Sequence, residues 1–214
     1  RWLSDWSSDV CSSDLDFLLR FVALVLMKLL YRIRVDGREN VPLDGPALLV
    51  ANHVSWIDAL LLIATQTRRI RFVMDRSIYD SPALSPLFRL MGVIPVSARD
   101  GVAGFKEFIR STRQVLDEGY LVCIFAEGEI TRHGSLNAFR PGFARIAQAS
   151  GVPIIPAYIG GAWGNIFSYA RNRRLYLQRY PMHILFGTPL AADQTARVRT
   201  AVMELSDRKS TRLN

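Results

Sequence analysis

The chain has 214 residues, 50% of them hydrophobic and 21% charged, which excludes intrinsic disorder, a collagen helix and a coiled coil. Two cysteines, Cys11 and Cys123, are too few for a disulfide framework and indicate a reducing compartment. The excess of 27 Lys and Arg over 19 Asp and Glu gives a net charge of +8, so an anionic partner is expected: nucleic acid, an anionic membrane face or a phosphorylated substrate.

The two ends of the chain differ in character from the rest. Residues 1–15 contain the pair Ser-Asp three times and show no apolar periodicity. They resemble translated sequencing-adaptor sequence, and residues 207–214 resemble the matching segment at the other end. We therefore predict that 1–15 and 207–214 are non-native and that 16–206 form one domain, with a polar disordered terminus as the alternative for residues 1–15. The natural termini are then unknown, and the domain can belong to a longer protein.

The most apolar stretch is residues 17–31, which only Arg20 and Lys28 interrupt. These fifteen residues fall short of the ~20 that a membrane-spanning helix needs. The two basic side chains can reach lipid headgroups while the rest of the helix lies in the interface. The pattern predicts an N-terminal, membrane-associated apolar helix, with a buried core helix or the end of a truncated membrane span as alternatives.

Strand-like and helix-like runs alternate along the remaining chain. The strand candidates are Ile33–Asp36, Ala47–Ala51, Arg71–Met74, Val93–Val96, Leu121–Phe125, Ile154–Tyr158 and His183–Phe186. The helix candidates are Ile57–Gln66, Ser85–Met91, Val102–Glu118, Gly142–Ala149 and Ala192–Leu205. Short connections rich in Pro and Gly separate them. This alternation predicts an α/β fold with a central, largely parallel sheet flanked by helices.

A histidine and an acid stand five positions apart where the second strand gives way to a helix. His53 lies in the predicted turn and Asp58 at the start of the helix, so the two side chains can converge. Ser55 is a candidate N-cap for that helix. A carboxylate on one imidazole nitrogen would fix the tautomer and let the other nitrogen remove a proton from a hydroxyl. A helix-capping Asp58 beside a histidine bonded to a carbonyl group is the alternative.

A second polar segment follows the buried strand Leu121–Phe125. It runs from Phe125 to Gly134 and contains two acids, a hydroxyl, an arginine and two glycines. Polar residues at the carboxyl end of a parallel strand are typical of a binding site. Arg132 is suited to bidentate contact with phosphate, and Arg140 lies just before a helix whose N-terminus can face an anion.

In their order, these segments resemble the glycerolipid (lysophospholipid) acyltransferases. The resemblance rests on four ordered blocks: Asn52 to Asp58, Gly92 to Val96, Phe125 to Arg132 and Val152 to Pro156. It extends over roughly Asp16 to Leu205. The Glu-Gly-Glu-Ile-Thr-Arg run and the segment Trp163 to Ser168 are most similar to the acyltransferase domain of bacterial 2-acylglycerophosphoethanolamine acyltransferases.

The third block departs from the family pattern. Ala126 stands where Pro is common, and Glu129 and Ile130 separate the Glu-Gly pair from Thr131 and Arg132. The basic residue of the second block is displaced as well, which leaves Arg99 as its nearest candidate. These departures fall where the resemblance places the acceptor.

The resemblance implies direct acyl transfer from an acyl thioester, acyl-CoA or acyl-carrier protein, to the free hydroxyl of a lysophospholipid or lysophosphatidate. His53 would be the general base and Asp58 its orienting partner. The implied substrate-binding residues are Asn52, Arg99, Glu127, Gly128, Thr131, Arg132 and Arg140. Neither a cofactor nor a metal is implied, and no zinc or phosphate-loop motif is present.

Membrane lipid is the implied partner, on the cytoplasmic face of the bacterial inner membrane. Nucleic acid is not expected, since the basic residues are dispersed apart from two short clusters, Arg68 to Arg71 and Arg171 to Arg174. Two other functions are compatible with the same residues. One is a hydrolase of acyl thioesters that uses His53 and Asp58 on water, and the other is a non-catalytic membrane-binding protein of the same fold.

Overall fold

The computed structural model describes residue 18 and residues 21–97, 101–172 and 180–212. The strands are β1 (Tyr31–Asp36), β2 (Ala47–Ala51), β3 (Ile70–Asp75), β4 (Ile94–Val96), β5 (Leu121–Phe125), β6 (Ile154–Gly160) and β7 (Tyr180–Phe186). The helices are α1 (21–30), α2 (Asp58–Thr65), α3 (Arg76–Tyr79), α4 (Ser85–Leu90), α5 (Gly101–Asp117), α6 (Gly142–Ser150) and α7 (Thr195–Arg212). A single 3₁₀ turn, Arg38–Asn40, follows β1.

The seven strands form one sheet in the order β1-β7-β6-β2-β5-β3-β4. Every neighbouring pair is parallel except β6 and β7, which are antiparallel. Strands β2 to β6 therefore run in one direction and β1 and β7 in the other. The largely parallel α/β sheet predicted from the sequence is confirmed.

Helices cover both faces of the sheet. On one face, α1 and α2 pack against alternate strand residues such as Leu49 and Ile155. On the other, α5, α6 and α7 pack against the intervening residues, such as Leu48 and Val122. Because β2 is buried along its whole length, it reads as a continuous apolar run, as central strands of parallel sheets do.

Helix α1 ends one residue before the predicted boundary at 31, because Tyr31 is already the first residue of β1. Met27 is buried in the core, whereas Val22, Val25 and Leu29 are exposed, so one apolar stripe of the helix faces outward. Within the described residues, no helix combines the length and the hydropathy needed to cross a bilayer. Helix α7 begins three residues later than predicted and continues through Arg212.

Candidate active site

The site forms where the segments after β2 and β5 meet at the carboxyl edge of the sheet. Ala51 and Phe125 are paired in register, so the two segments leave the sheet side by side. The backbone N–H of His53 donates to Glu127 Oε1 at 2.8 Å, and the Thr131 N–H donates to the His53 carbonyl group at 2.9 Å. The third block thus holds both backbone polar groups of His53.

The structure joins His53 to Asp58 as predicted. The His53 Nδ1 atom lies 2.9 Å from Asp58 Oδ2. Asp58 is fully buried, whereas the His53 side chain is 20% exposed. Among the described residues, no protein group is hydrogen-bonded to His53 Nε2. Nε2 is therefore the ring nitrogen available to a substrate hydroxyl, and the bond from Asp58 to Nδ1 fixes the orientation of the ring.

Further hydrogen bonds fix the Asp58 carboxylate. Its Oδ2 accepts the backbone N–H groups of Val54 and Ser55 at 2.6 and 2.9 Å, and its Oδ1 accepts the Ser55 hydroxyl at 2.8 Å. The prediction that Ser55 caps helix α2 is wrong. Its hydroxyl donates to Asp58 instead, because the carboxylate at the first helical position turns back over the preceding loop.

Phe125, the last residue of β5, forms a flat platform for the catalytic histidine candidate. Its ring centroid is 4.1 Å from that of His53 and the two planes differ by 11°. Phe72 stacks in turn at 6.2 Å from Phe125. From the sequence, Phe125 was the end of a predicted strand and the start of the third block, and no contact with His53 was expected. One sequence signal could have revealed the stacking of Phe125 on His53. Phe125 is an aromatic residue at the end of a strand, and His53 follows the end of the neighbouring strand.

Glu127 is buried and both of its carboxylate oxygens are occupied by backbone groups. Oε1 accepts the His53 N–H, and Oε2 accepts the Asn137 N–H at 2.9 Å. Burial raises the pKa of the Glu127 carboxyl, and the charge of Asp58 acts in the same direction. The two N–H groups and His53 oppose that rise. This geometry assigns Glu127 the task of anchoring the His53 backbone, and its predicted contact with substrate stays a prediction.

Two other predicted substrate-binding residues also make contacts inside the protein. The Asn52 amide donates to the Ile159 carbonyl group at 3.0 Å and accepts the Ile159 N–H at 2.7 Å, which continues the pairing of β2 with β6. The buried Thr131 hydroxyl donates to the Ser135 carbonyl group at 2.9 Å. These bonds stabilise the loops around His53, and substrate contact by either residue stays a prediction.

Two of the predicted phosphate-binding arginines lie on the third block or shortly after it. Arg132 directly follows Thr131, is exposed, and holds its guanidinium 5.3 Å from the ring centroid of Tyr169. Arg140 donates through Nε to the Glu127 carbonyl group at 3.3 Å. Gly128 permits this contact, since its φ is 71° and a Cβ there would lie 2.5 Å from Arg140 Nε. Arg99, the third candidate, lies outside the described residues.

The basic cluster Arg68 to Arg71 is used inside the protein. Arg68 donates to three backbone carbonyl groups, those of Pro42, Gly45 and Gly119. The guanidinium of Arg71 lies 4.6 Å from the ring centroid of Tyr120. Both side chains are thus held by contacts within the protein.

Cys123 offers no alternative nucleophile. It is fully buried within β5, and that burial raises the pKa of its thiol. The thiolate form, which is the reactive one, is thereby disfavoured. Among the described residues there is also no group of three His, Cys, Asp or Glu side chains that could hold a metal ion.

Comparison with known proteins places this site in a family. Residues 32–160 match the family model described as Acyltransferase. A chloroplastic 1-acyl-sn-glycerol-3-phosphate acyltransferase of Arabidopsis thaliana is 27% identical over 146 residues, which cover 68% of this chain and 40% of the plant protein. A probable 1-acyl-sn-glycerol-3-phosphate acyltransferase of Mycoplasma pneumoniae is 26% identical, over 80% of this chain and 66% of that protein.

A solved structure supports the fold. The crystal structure of the 1-acyl-sn-glycerophosphate acyltransferase PlsC from Thermotoga maritima superposes with a TM-score of 0.73, covering 96% of this chain and 82% of that one at 21% identity. The chain spans between 40% and two thirds of the length of the plant and mycoplasma relatives. Because the family model matches more than half of the chain and includes both His53 and Asp58, the chain belongs to the acyltransferase family.

Proposed function

We propose that this protein transfers a fatty acyl group from an acyl thioester to the free hydroxyl of a lysophospholipid, with 1-acylglycerol-3-phosphate as the first acceptor to consider. One observation carries the proposal: the partly exposed His53 is bonded through Nδ1 to the buried Asp58 at 2.9 Å. The names of the Arabidopsis and Mycoplasma relatives support the acceptor class. A 2-acylglycerophosphoethanolamine acceptor, suggested by the sequence, is the second.

In this mechanism His53 Nε2 takes the proton of the acceptor hydroxyl while that oxygen attacks the thioester carbonyl carbon. The new C–O bond forms, the carbonyl oxygen becomes an oxyanion, and Asp58 stabilises the resulting imidazolium. Collapse of the oxyanion breaks the C–S bond, and the leaving thiolate recovers the proton from His53. General base catalysis of this kind contributes about 10²–10⁴-fold.

We assign the acceptor phosphate to two arginines, one at the end of the third block and one shortly after it. Arg132 and Arg140 both present exposed guanidinium groups near the loop that anchors His53. Arg99 remains a proposed third contact. Arginine suits this task because its planar fork pairs with two phosphate oxygens at once. Arg132→Ala should therefore raise the KM for the acceptor more than the KM for the donor.

We further propose membrane association through α1, at the cytoplasmic face of a bacterial inner membrane. Val22, Val25, Leu26 and Leu29 follow the spacing of one helical face and are all exposed, while Met27 anchors the opposite face in the core. An apolar stripe that no described element covers suits the lipid interface, where lysophospholipid is found. The acyl donor is acyl-CoA or acyl-carrier protein, used as co-substrate without a further cofactor.

The direct test incubates the full chain with labelled acyl-CoA or acyl-carrier protein and with lysophosphatidate or lysophosphatidylethanolamine. His53→Ala should abolish formation of labelled diacyl phospholipid, whereas His133→Ala, which alters an exposed histidine of the neighbouring loop, should retain it. Labelled free fatty acid as the sole product would contradict transfer and indicate a hydrolase. Full activity of His53→Ala would refute the mechanism, and no turnover with any pair would support a binding protein.

A further inference from the structure

Exposed apolar side chains lie next to the turn that carries His53. Trp56 follows the His53 turn and is 53% exposed, and Ile166, Phe167 and Tyr169 are exposed on the loop after β6. The Trp56 N–H donates to the Phe167 carbonyl group at 3.1 Å, and the rings of Trp56 and Tyr169 meet edge to face at 6.5 Å. These four residues, which we call the aromatic rim, form one patch next to the catalytic turn.

Buried polar groups hold the aromatic rim in place. Ser168 and Asn165 are almost fully buried, and the Ser168 hydroxyl donates to the Asn165 carbonyl group and accepts the Gly164 N–H. Asn165 Oδ1 accepts the Phe167 N–H at 2.6 Å. Ser168 also pairs with Ser55, the residue that bonds to Asp58. The loop thus turns its polar side chains inward and its apolar ones outward, the reverse of an ordinary surface loop.

The sheet topology brings α1 to the same edge. Since β1 runs opposite to β2 and β6, the start of β1 at Tyr31 lies at the edge where β2 and β6 end. The last turn of α1 immediately precedes Tyr31, and there Leu29 is 68% exposed and Leu30 is exposed as well. The last turn of α1 and the aromatic rim therefore lie at one edge of the sheet, on either side of β6 and β7.

Cationic side chains lie beside the aromatic rim. Arg132 lies over the Tyr169 ring and Arg171 follows two residues later, both exposed. Glu129 is the exposed acid of the same third block, and the whole chain carries +8. Trp and Tyr are the residues enriched at membrane–water interfaces, and adjacent arginines attract anionic headgroups.

From this arrangement we propose that the aromatic rim inserts into the surface of an anionic phospholipid bilayer and holds the opening of the His53 site against it. The rim and the end of α1 would then make two separate contacts with the same membrane, with the sheet edge facing the lipid. This inference rests on the proposed function only for the lipid nature of the acceptor. An acceptor hydroxyl could reach His53 while its acyl chain stays in the bilayer.

The test measures equilibrium binding of the full chain to vesicles of phosphatidylglycerol and phosphatidylethanolamine, which requires no turnover. The variant Ile166→Ser with Phe167→Ser should bind about tenfold more weakly, because membrane affinity scales with buried apolar area. Leu43→Ala is the matched control, since Leu43 is 77% exposed but precedes β2 at the opposite edge of the sheet. Thermal unfolding should show that both variants retain the fold.

A second readout separates this proposal from the proposed function. With a short-chain, water-soluble lysophosphatidate, the Ile166→Ser, Phe167→Ser variant should transfer acyl groups within about twofold of the wild-type rate. With an acceptor embedded in vesicles, the same variant should lose most of its transfer rate. Vesicle binding equal to that of the wild type would overturn the proposal whatever the enzymatic result. Retained binding with selective loss of transfer from acyl-carrier protein would also overturn it and assign the rim to that protein. Absence of any acyl transfer would refute the proposed function alone.

Discussion

Replacing Glu127 by Gln tests whether the third block positions His53, the proposed general base. The carboxylate accepts one backbone N–H at each oxygen, from His53 at 2.8 Å and from Asn137 at 2.9 Å. Glutamine has nearly the same shape but only one acceptor oxygen, so its NH₂ group must face one of the two donors. Either the His53 N–H or the Asn137 N–H therefore loses its hydrogen-bond acceptor.

The expected loss follows from these bonds. A buried N–H left without its charged acceptor costs about 1–3 kcal/mol of unfolding free energy, and removing a buried charge offsets part of that cost. Burial raises the pKa of Glu127 above its usual value of 4.5, so the folded protein binds its proton more tightly than the unfolded chain does. The contribution of Glu127 to the unfolding free energy of the wild type therefore falls as pH rises from 4.5 through the folded-state pKa. The Gln variant lacks this pH dependence. The difference in unfolding free energy between the wild type and the variant should therefore become smaller as pH rises over that range.

The assay is denaturant unfolding of both proteins across the acidic pH range, together with kcat at neutral pH. Glu129→Gln is the control, since Glu129 carries the same group two residues away but is exposed. We expect kcat of Glu127→Gln to fall about tenfold or more, because small displacements of a general base are costly. A deficit that grows with pH, or an equal effect of Glu129→Gln, would refute the reasoning.

Three further substitutions probe other parts of the site. Asp58→Asn should lower kcat by about 10²–10⁴-fold, measured at saturating acceptor, because the imidazolium loses its counter-charge. Phe125→Leu should lower kcat about tenfold with little change in acceptor KM, because the stacked ring no longer orients the imidazole; an unchanged kcat would exclude this role. Gly128→Ala should lower the free energy of unfolding by about 1–3 kcal/mol and raise the KM for the acceptor, because the added Cβ displaces Arg140. Gly45 has a similar positive φ but open space around it, so Gly45→Ala should lower stability without changing that KM.

Features with a local cause could be read from the sequence. The bounds of β2 and β5 agree with the prediction to the residue, because both are continuous apolar runs limited by turn residues. The convergence of His53 and Asp58 followed from a strand, a turn and a helix within five residues of each other. Strand β7 was predicted three residues short, since its first residues, Tyr180 and Pro181, do not extend the apolar run.

The contacts that hold these residues in place became visible only in the folded chain. Glu127 anchors a residue 74 positions away, and Asn52 bonds to one 107 positions away, because the sheet order places β5 and β6 on either side of β2. Sequence reasoning assigned both side chains to substrate, since a polar residue beside a motif gives no sign of its distant partner. The residue types and their spacing were enough to identify which groups can perform the chemistry. The pairing register determined which of them are positioned for it, because hydrogen bonds between strands depend on alignments that no local pattern specifies.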